Sequence, residues 1–142
     1  VCLSRPTNPS GNVVTDAELD EVAKKCASAG VPLIIDGAYG LPFPGMIYTS
    51  ATPFWDDNTI LCLSLSKLGL PGVRTGIVVA APEVTELIRN ANAINGLAPT
   101  RVGPELVLPL LANDQLDLLC EQVIRPHYLQ KQTFALETLR EA

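Results

Sequence analysis

Four short aliphatic runs constrain the fold of this chain most strongly. They occupy residues 1–3, 31–35, 59–63 and 76–81, and each is followed by polar residues, glycine or proline. A continuous aliphatic run of this length is typical of a strand that is covered on both faces, as in a parallel sheet. Segments with helical periodicity lie between and after these runs. The sequence therefore predicts an α/β sheet.

The clearest helix signal lies between the first two runs. Thr15 stands three residues before Glu18, which is the spacing of a capping box, and apolar residues follow at helical spacing. Gly30 is well placed to close this helix, because glycine readily adopts the left-handed conformation that ends many helices. We expect a helix over Asp16–Ser28.

The remaining chain divides into a loop and a helical second half. Residues 39–58 are rich in proline, glycine and aromatics without a clear period, which predicts a long, ordered and functional loop. Pro82 suits the first turn of a helix that residues 96–99 interrupt. Two further helical segments are expected, over residues 104–111 and as a C-terminal tail from residue 116 onward.

Composition excludes several classes of partner. The chain of 142 residues is 47% hydrophobic and 18% charged, which suits one packed domain. Its net charge of −5 and its lack of a Lys/Arg cluster argue against a nucleic-acid or anionic-membrane surface. No run approaches the ~20 apolar residues that cross a bilayer, and no signal peptide is visible. We expect a small-molecule ligand.

The four cysteines are widely separated and contain no C-x-x-C pair. This spacing predicts neither a metal site nor a redox dithiol. We expect buried free thiols in a reducing cytoplasmic environment, where disulfides are rare. Because Val1 already lies within an apparent strand, we also expect the chain to be cut from a longer protein.

Polar residues follow three of the aliphatic runs. Asn8, Asp36 and the segment 64–67 each come where a predicted strand ends. In an open α/β sheet, ligands bind at the carboxyl edge of the strands. Each residue alone fits an ordinary turn or surface position, but their joint placement predicts a ligand site at one edge.

Three motifs carry a resemblance to a known family that spans the chain. Residues 4–12 read S-R-P-T-N-P-S-G-N, residues 36–40 read D-G-A-Y-G, and residues 64–74 read S-L-S-K-L-G-L-P-G-V-R. These motifs resemble the N-P-[ST]-G-N, D-x-x-Y and S-x-S-K…R segments of the class I and II aminotransferases of fold type I, which use pyridoxal phosphate. The resemblance implies a cofactor-binding set of Asn8, Asp36, Tyr39, Ser64, Ser66, Lys67 and Arg74.

The resemblance also implies a role for each member of this set around the cofactor ring. Lys67 attaches the cofactor covalently and moves the substrate proton, so it is the catalytic residue. Asp36 pairs with the ring nitrogen, and a carboxylate there would keep that nitrogen protonated. Tyr39 and Asn8 hydrogen-bond the ring oxygen.

The phosphate is assigned to a second group of side chains. By resemblance, Ser64 and Arg74 bind it, and a guanidinium fork suits a phosphate dianion. Ser66 either assists in this contact or only caps the turn.

By resemblance, the chain is part of the large, cofactor-binding domain, with a mixed, mostly parallel sheet flanked by helices and a helical C-terminal tail. The N-terminal part of that domain and the small domain, which carries a substrate-binding arginine, are expected to be absent. The implied reaction is transamination between valine or alanine and pyruvate or 3-methyl-2-oxobutanoate in a cytoplasmic homodimer. We expect this chain alone to be inactive.

Two alternatives remain open at this point. The same cofactor groups serve lyases that act at Cβ, and some transcription regulators use an aminotransferase-like domain to sense a ligand.

Other residues are interpreted structurally. His127 lacks a partner for catalysis in the sequence, and Arg101 has no role in the motifs, so both are expected to be structural or surface residues. Gly11, Gly69 and Gly72 are expected to need unusual backbone angles or close backbone contact.

Overall fold

A computed structural model describes residues 1–97 and 100–141. Its centre is a four-stranded sheet in the order β1-β2-β3-β4, formed by Cys2–Ser4, Leu33–Asp36, Thr59–Ser64 and Gly76–Val79. The first three strands are parallel, and β4 is antiparallel to β3. The predicted mixed, mostly parallel sheet is therefore confirmed.

Strand boundaries differ from the predicted runs by one or two residues: β1 is shifted by one residue, β3 extends to Ser64, and β4 ends at Val79. The start of β2 has a clear physical cause. The second aliphatic run begins at residue 31, but β2 starts at Leu33. Pro32 has no N–H to donate to a neighbouring strand, and the amide of Val31 donates to the carbonyl of Cys26 at the end of the preceding helix (3.0 Å). Ladder pairing can therefore begin only after the proline.

The first helix has the predicted bounds, with α1 over Asp16–Ser28. The Thr15 side chain accepts a hydrogen bond from the Glu18 amide (3.2 Å), and the Glu18 carboxylate accepts one from the Thr15 amide (2.9 Å). This reciprocal capping box satisfies amide groups that have no partner within the helix. Gly30 follows the helix with a φ of +65°, as expected for a terminating glycine.

The second half of the chain is helical, with more divisions than predicted. It contains α2 (Pro82–Gly96), α3 (Val102–Ala112), α4 (Gln115–Leu119) and α5 (Arg125–Glu141). One turn of π-helix, Cys120–Ile124, joins α4 to α5 where the sequence predicted one uninterrupted helix. The expected interruption at residues 96–99 lies partly outside the described residues, as does the end of the tail.

The core lies between one face of the sheet and the helices. Leu19 of α1 and Leu33 of β2 are fully buried, and Leu65, Val107 and Leu116 extend the same apolar cluster towards α3 and α4. Each fully buried leucine of this kind contributes about 1.5–3 kcal/mol to folding. The burial of these side chains therefore holds the sheet, with the ends of its strands, against the helices.

Arg5, immediately after β1, is buried and anchors the long loop to α1. Its guanidinium donates to the carbonyls of Val14 and Thr52 (2.8 Å each) and pairs with the Asp16 carboxylate. The Thr52 amide also donates to Asp16 (3.0 Å), and this hydrogen bond, followed by the Arg5 guanidinium, lowers the pKa of Asp16 below its ordinary value. The loop is therefore ordered by a charged network.

The cysteines follow the prediction only in part. All four are free thiols, and Cys26 and Cys120 are buried as expected. Cys2 is instead exposed, because it lies on β1 at the edge of the sheet, and Cys62 is half-buried. Burial raises the pKa of the Cys120 thiol to about 11. In the described part of the chain, no helix is both long enough and apolar enough to traverse a bilayer.

Candidate active site

The sheet topology brings the predicted site residues to one edge. Asp36 is the last residue of β2 and is paired with Ser4 of β1, while Ser64 is the last residue of β3. Because β4 is antiparallel, its first residue, Gly76, pairs with Ser64 at this same edge. Arg74 stands two residues earlier, so it too lies at the carboxyl edge of β1, β2 and β3.

Lys67, Tyr39 and Asn8 form a continuous chain of contacts. The Lys67 Nζ atom lies 4.9 Å from the centroid of the Tyr39 ring, within cation–π range. The Asn8 side-chain amide donates to the Tyr39 hydroxyl (3.2 Å). The Tyr39 hydroxyl acts there as the acceptor, so its own proton remains available for a ligand oxygen. Three distant parts of the sequence thus present an amine, a hydroxyl and an amide together.

Asp36 is exposed but held in a defined orientation. Its Oδ1 atom accepts a hydrogen bond from the Ala38 amide (3.0 Å), and its Oδ2 atom accepts one from the Ser4 hydroxyl (3.5 Å). Its neighbour in register on β3 is Cys62, whose thiol pKa is raised by burial and by the Asp36 carboxylate. The site therefore contains an oriented carboxylate beside a neutral thiol.

Lys67 is carried by a short 3-10 helix, Leu65–Leu68. The Ser66 amide donates to the Ser64 Oγ atom (3.2 Å), so Ser64, and not Ser66, caps this turn. The cap uses Ser64 only as an acceptor and leaves its hydroxyl proton for a second partner. Gly69 ends the turn in a left-handed conformation, with a φ of +84°.

Arg74 is at the correct edge, but among the described residues its side chain forms no hydrogen bond with the other predicted residues. It is exposed, and among the described residues no hydrogen bond or salt bridge engages its guanidinium. It lines a separate cavity of about 500 Å³ together with Asn92 and Asn95 of α2. Its φ of +49° is left-handed, a conformation that costs a non-glycine residue about 1 kcal/mol or more.

Comparison with known proteins identifies the family. The family model described as aminotransferase class I and II matches residues 1–142. The chain belongs to this family. The resemblance based on the three motifs is therefore confirmed, and members of this family use pyridoxal phosphate.

Individual relatives agree with the family match. Valine–pyruvate aminotransferase from Escherichia coli is 48% identical over 131 residues, which cover 92% of this chain and 31% of that protein. The crystal structure of valine–pyruvate aminotransferase from Salmonella typhimurium has a TM-score of 0.93 at 46% identity, covering 99% of this chain and 36% of the other. The chain thus spans about a third of the length of these relatives.

A more distant structure supports the fold alone. Thermus thermophilus aspartate aminotransferase in complex with maleate is 18% identical and has a TM-score of 0.82 over 99% of this chain. These residues therefore adopt the fold of the fold type I aminotransferases.

The described site residues are chemically suited to the family cofactor. An amine, an oriented carboxylate, a hydroxyl with a free proton and an unpaired guanidinium all lie at one edge. These groups match the covalent attachment point, ring nitrogen, ring oxygen and phosphate of pyridoxal phosphate. The residues present therefore fit the cofactor.

Sequence reasoning missed two residues that shape this edge. Arg5 has no local signal, because its burial depends on partners as distant as Thr52. Gly40 is needed because a Cβ atom there would lie 2.3 Å from the carbonyl oxygen of Arg5. The only available hint was the position of both residues inside the motifs.

The glycine predictions were partly correct. Gly11 and Gly69 have positive φ values of +71° and +84°, as expected. The prediction for Gly72 was wrong, because its φ is not left-handed and no atom would lie within 4 Å of an added Cβ. Turn-rich sequence around a glycine does not by itself show that its backbone is unusual.

His127 and Arg101 lie on the surface, in line with their structural interpretation. His127 is exposed on α5 and contacts the Tyr128 ring edge-on at 5.5 Å between centroids. Arg101 precedes α3 and pairs with Glu105 at 2.8 Å.

Proposed function

We propose that this chain is the central part of the large domain of a pyridoxal-phosphate-dependent aminotransferase, and that its carboxyl edge holds the cofactor. The observation that carries this proposal is the contact chain from Lys67 through Tyr39 to Asn8, beside the oriented carboxylate of Asp36. The family membership of the whole chain supports it.

Asp36 would hold the nitrogen of the cofactor ring, and Tyr39 would hold the ring oxygen. Bound pyridoxal phosphate supplies an electron sink for negative charge at the α-carbon of an amino acid. The Asp36 carboxylate would favour a proton on the ring nitrogen, because an adjacent negative charge stabilises the cationic form. The Ser4 hydroxyl and Ala38 amide keep that carboxylate oriented. Tyr39 would donate its free proton to the ring oxygen, with Asn8 beside it.

Lys67 has two tasks in this proposal. Its Nζ atom would hold the cofactor covalently, and it would afterwards act as a general base that takes a proton from the α-carbon of the substrate. The Tyr39 ring, 4.9 Å from Nζ, limits where the amine can move. A positioned base of this kind typically accelerates proton transfer by 10²–10⁴-fold.

Ser64 and Arg74 would bind the phosphate, with Ser66 in support. The hydroxyl proton of Ser64 is not used by the cap, and the guanidinium of Arg74 is exposed. Two parallel hydrogen bonds from a guanidinium to a phosphate are stronger than neutral ones. Arg74 would have to reorient from the side of α2, since it now lines a separate cavity.

The proposed reaction is a two-step exchange of an amino group. An amino acid, valine or alanine, leaves its amino group on the enzyme and departs as an oxo acid, and pyruvate or 3-methyl-2-oxobutanoate then takes the group away. The relative named valine–pyruvate aminotransferase, 48% identical, supports this substrate pair. We propose a cytoplasmic homodimer for the full-length enzyme.

Replacement of Lys67 in the full-length protein tests the proposal. We expect Lys67→Ala to lose both the visible absorbance of covalently bound cofactor and the formation of alanine from valine and pyruvate. Lys24→Ala, which removes an exposed lysine paired with Asp20, is the matched control and should change neither. Retained absorbance in Lys67→Ala would refute the assignment of this lysine. Release of ammonia by the wild type from an amino acid with a leaving group at Cβ, with no amino group passed to pyruvate, would indicate a lyase.

A further inference from the structure

A second cavity opens beside the contact chain of Lys67, Tyr39 and Asn8. It has a volume of about 400 Å³, within the range of small-molecule sites. We call it the α5 cleft, and it is lined by residues of the 6–11 segment, by Tyr39, Met46 and Tyr48, and by Tyr128, Lys131 and Gln132 of α5. Because it shares Asn8 and Tyr39 with the candidate active site, the two are continuous.

The start of α5 is attached to the long loop, which fixes the shape of the cleft. The Tyr48 hydroxyl donates to the carbonyl of Arg125 (3.5 Å), and the Arg125 guanidinium lies 6.0 Å from the centroid of the Tyr48 ring. Burial raises the pKa of Tyr48, so its ring remains an uncharged wall. With its proton directed at Arg125, Tyr48 has none to donate into the cleft.

One helix face supplies the polar side of the cleft. Tyr128, Lys131 and Gln132 are spaced i, i+3 and i+4 along α5, which places them on the same face. Lys131 is the charged residue among the described lining residues, and no carboxylate lies among them. Within residues 1–97 and 100–141, no salt bridge engages its ammonium group. The cleft therefore combines apolar walls with one unpaired cation.

We infer that the α5 cleft is the substrate side of the proposed active site and that Lys131 binds the carboxylate of a short aliphatic amino acid or 2-oxo acid. The inference rests on the proposed function. Met46 and the rings of Tyr48 and Tyr128 surround the aliphatic side chain, and the described residues that line the cleft include no second cation for a dicarboxylate. Lys131 acts as a large-domain cation for the carboxylate, in addition to the small-domain arginine implied by the family resemblance.

The test compares two probes of the same shape in the full-length, cofactor-loaded protein. Isobutyrate carries a carboxylate on a branched aliphatic group, and isobutyramide is its neutral counterpart. We expect calorimetry to show that the wild type binds isobutyrate more tightly than isobutyramide, by a factor of up to about 10. The reason is that hydrogen bonds to charged groups are stronger than those between neutral groups. Lys131→Met should clearly reduce this preference, because only the small-domain arginine then remains to favour the carboxylate, and Lys131→Arg should retain most of it.

Kinetics provide the second measurement. Lys131→Met should raise the KM for pyruvate by about the same factor and leave kcat nearly unchanged, while Lys24→Met should alter neither. An unchanged preference for isobutyrate in Lys131→Met would overturn the inference, and so would loss of the cofactor absorbance in that variant. Failure of the proposed function is separately visible, since it appears as retained cofactor absorbance in Lys67→Ala.

Discussion

The contact between Gly40 and Arg5 allows a sharp prediction, because a second glycine provides a matched control. An ideal Cβ atom on Gly40 would lie 2.3 Å from the Arg5 carbonyl oxygen, whereas ordinary van der Waals contact starts at 3.4 Å. Gly40→Ala must therefore move backbone by about 1 Å. Both backbone segments are held by hydrogen bonds to carbonyl oxygens. The Gly40 amide donates to Gly37, the Gly45 amide donates to Gly40, and the Arg5 amide donates to Asp36 (2.9 Å each).

The expected cost follows from this geometry. Overpacking typically destabilises a protein by about 1–3 kcal/mol, and a clash between backbone atoms belongs at the upper end of that range. In a full-length protein about three times this size, the shift falls below the roughly 2–4 °C per kcal/mol of a 150–250-residue domain, so about 3 kcal/mol corresponds to a fall of a few degrees in Tm. Gly72→Ala should leave stability unchanged or slightly increase it. An added Cβ meets no atom within 4 Å, and alanine reduces the conformational freedom of the unfolded chain.

Thermal unfolding of both variants in the full-length protein, followed by calorimetry, measures the difference. We expect Gly40→Ala to lower the Tm clearly and to weaken cofactor binding, because residue 40 adjoins Tyr39 and contacts the segment that carries Asn8. Gly72→Ala should leave the Tm unchanged or slightly higher. Equal Tm values for the two variants, or a larger loss in Gly72→Ala, would contradict a clash between residue 40 and Arg5.

Three further predictions concern pH, thiol chemistry and the isolated chain. The pKa of Asp16 is lowered in the folded state, chiefly by the Thr52 amide, so its contribution to stability is complete above the ordinary value of 3.8 and is lost as the pH falls below it. The stability advantage of wild type over Asp16→Asn should therefore shrink only below about pH 3.8 in acid-unfolding titrations. Mass spectrometry should detect rapid alkylation of the exposed Cys2, and modification of Cys26 and Cys120 only after unfolding. The 142-residue polypeptide alone should show no valine–pyruvate transamination, and robust turnover would contradict this expectation.

Local signals in the sequence predicted local structure well. The bounds of α1 follow from Thr15, Glu18 and Gly30, whose capping interactions are formed within one turn of the helix ends. Apolar runs located the strands of the described residues, and the strand ends located the edge where the candidate site residues lie. A proline inside a run shifted the start of β2, since only the ladder itself shows where pairing begins.

Features that depend on distant contacts could not be predicted. The π-turn at Cys120–Ile124 leaves the helical pattern of the sequence intact, so the division between α4 and α5 was missed. Arg5 was passed over because its partners are brought together only by the fold. The motif likewise grouped Arg74 with Lys67 but did not reveal that its side chain lies towards α2.

The reversed direction of β4 has a mechanical consequence. The segment between β3 and β4 leaves and rejoins the sheet at adjacent positions, where Ser64 pairs with Gly76 and the Leu65 amide donates to Thr75 (3.2 Å). Lys67 and Arg74 are therefore carried by one small closed loop, anchored at both ends to the same two strands. The backbone positions of the proposed covalent and phosphate anchors are therefore coupled, and a displacement of either strand end would shift both together.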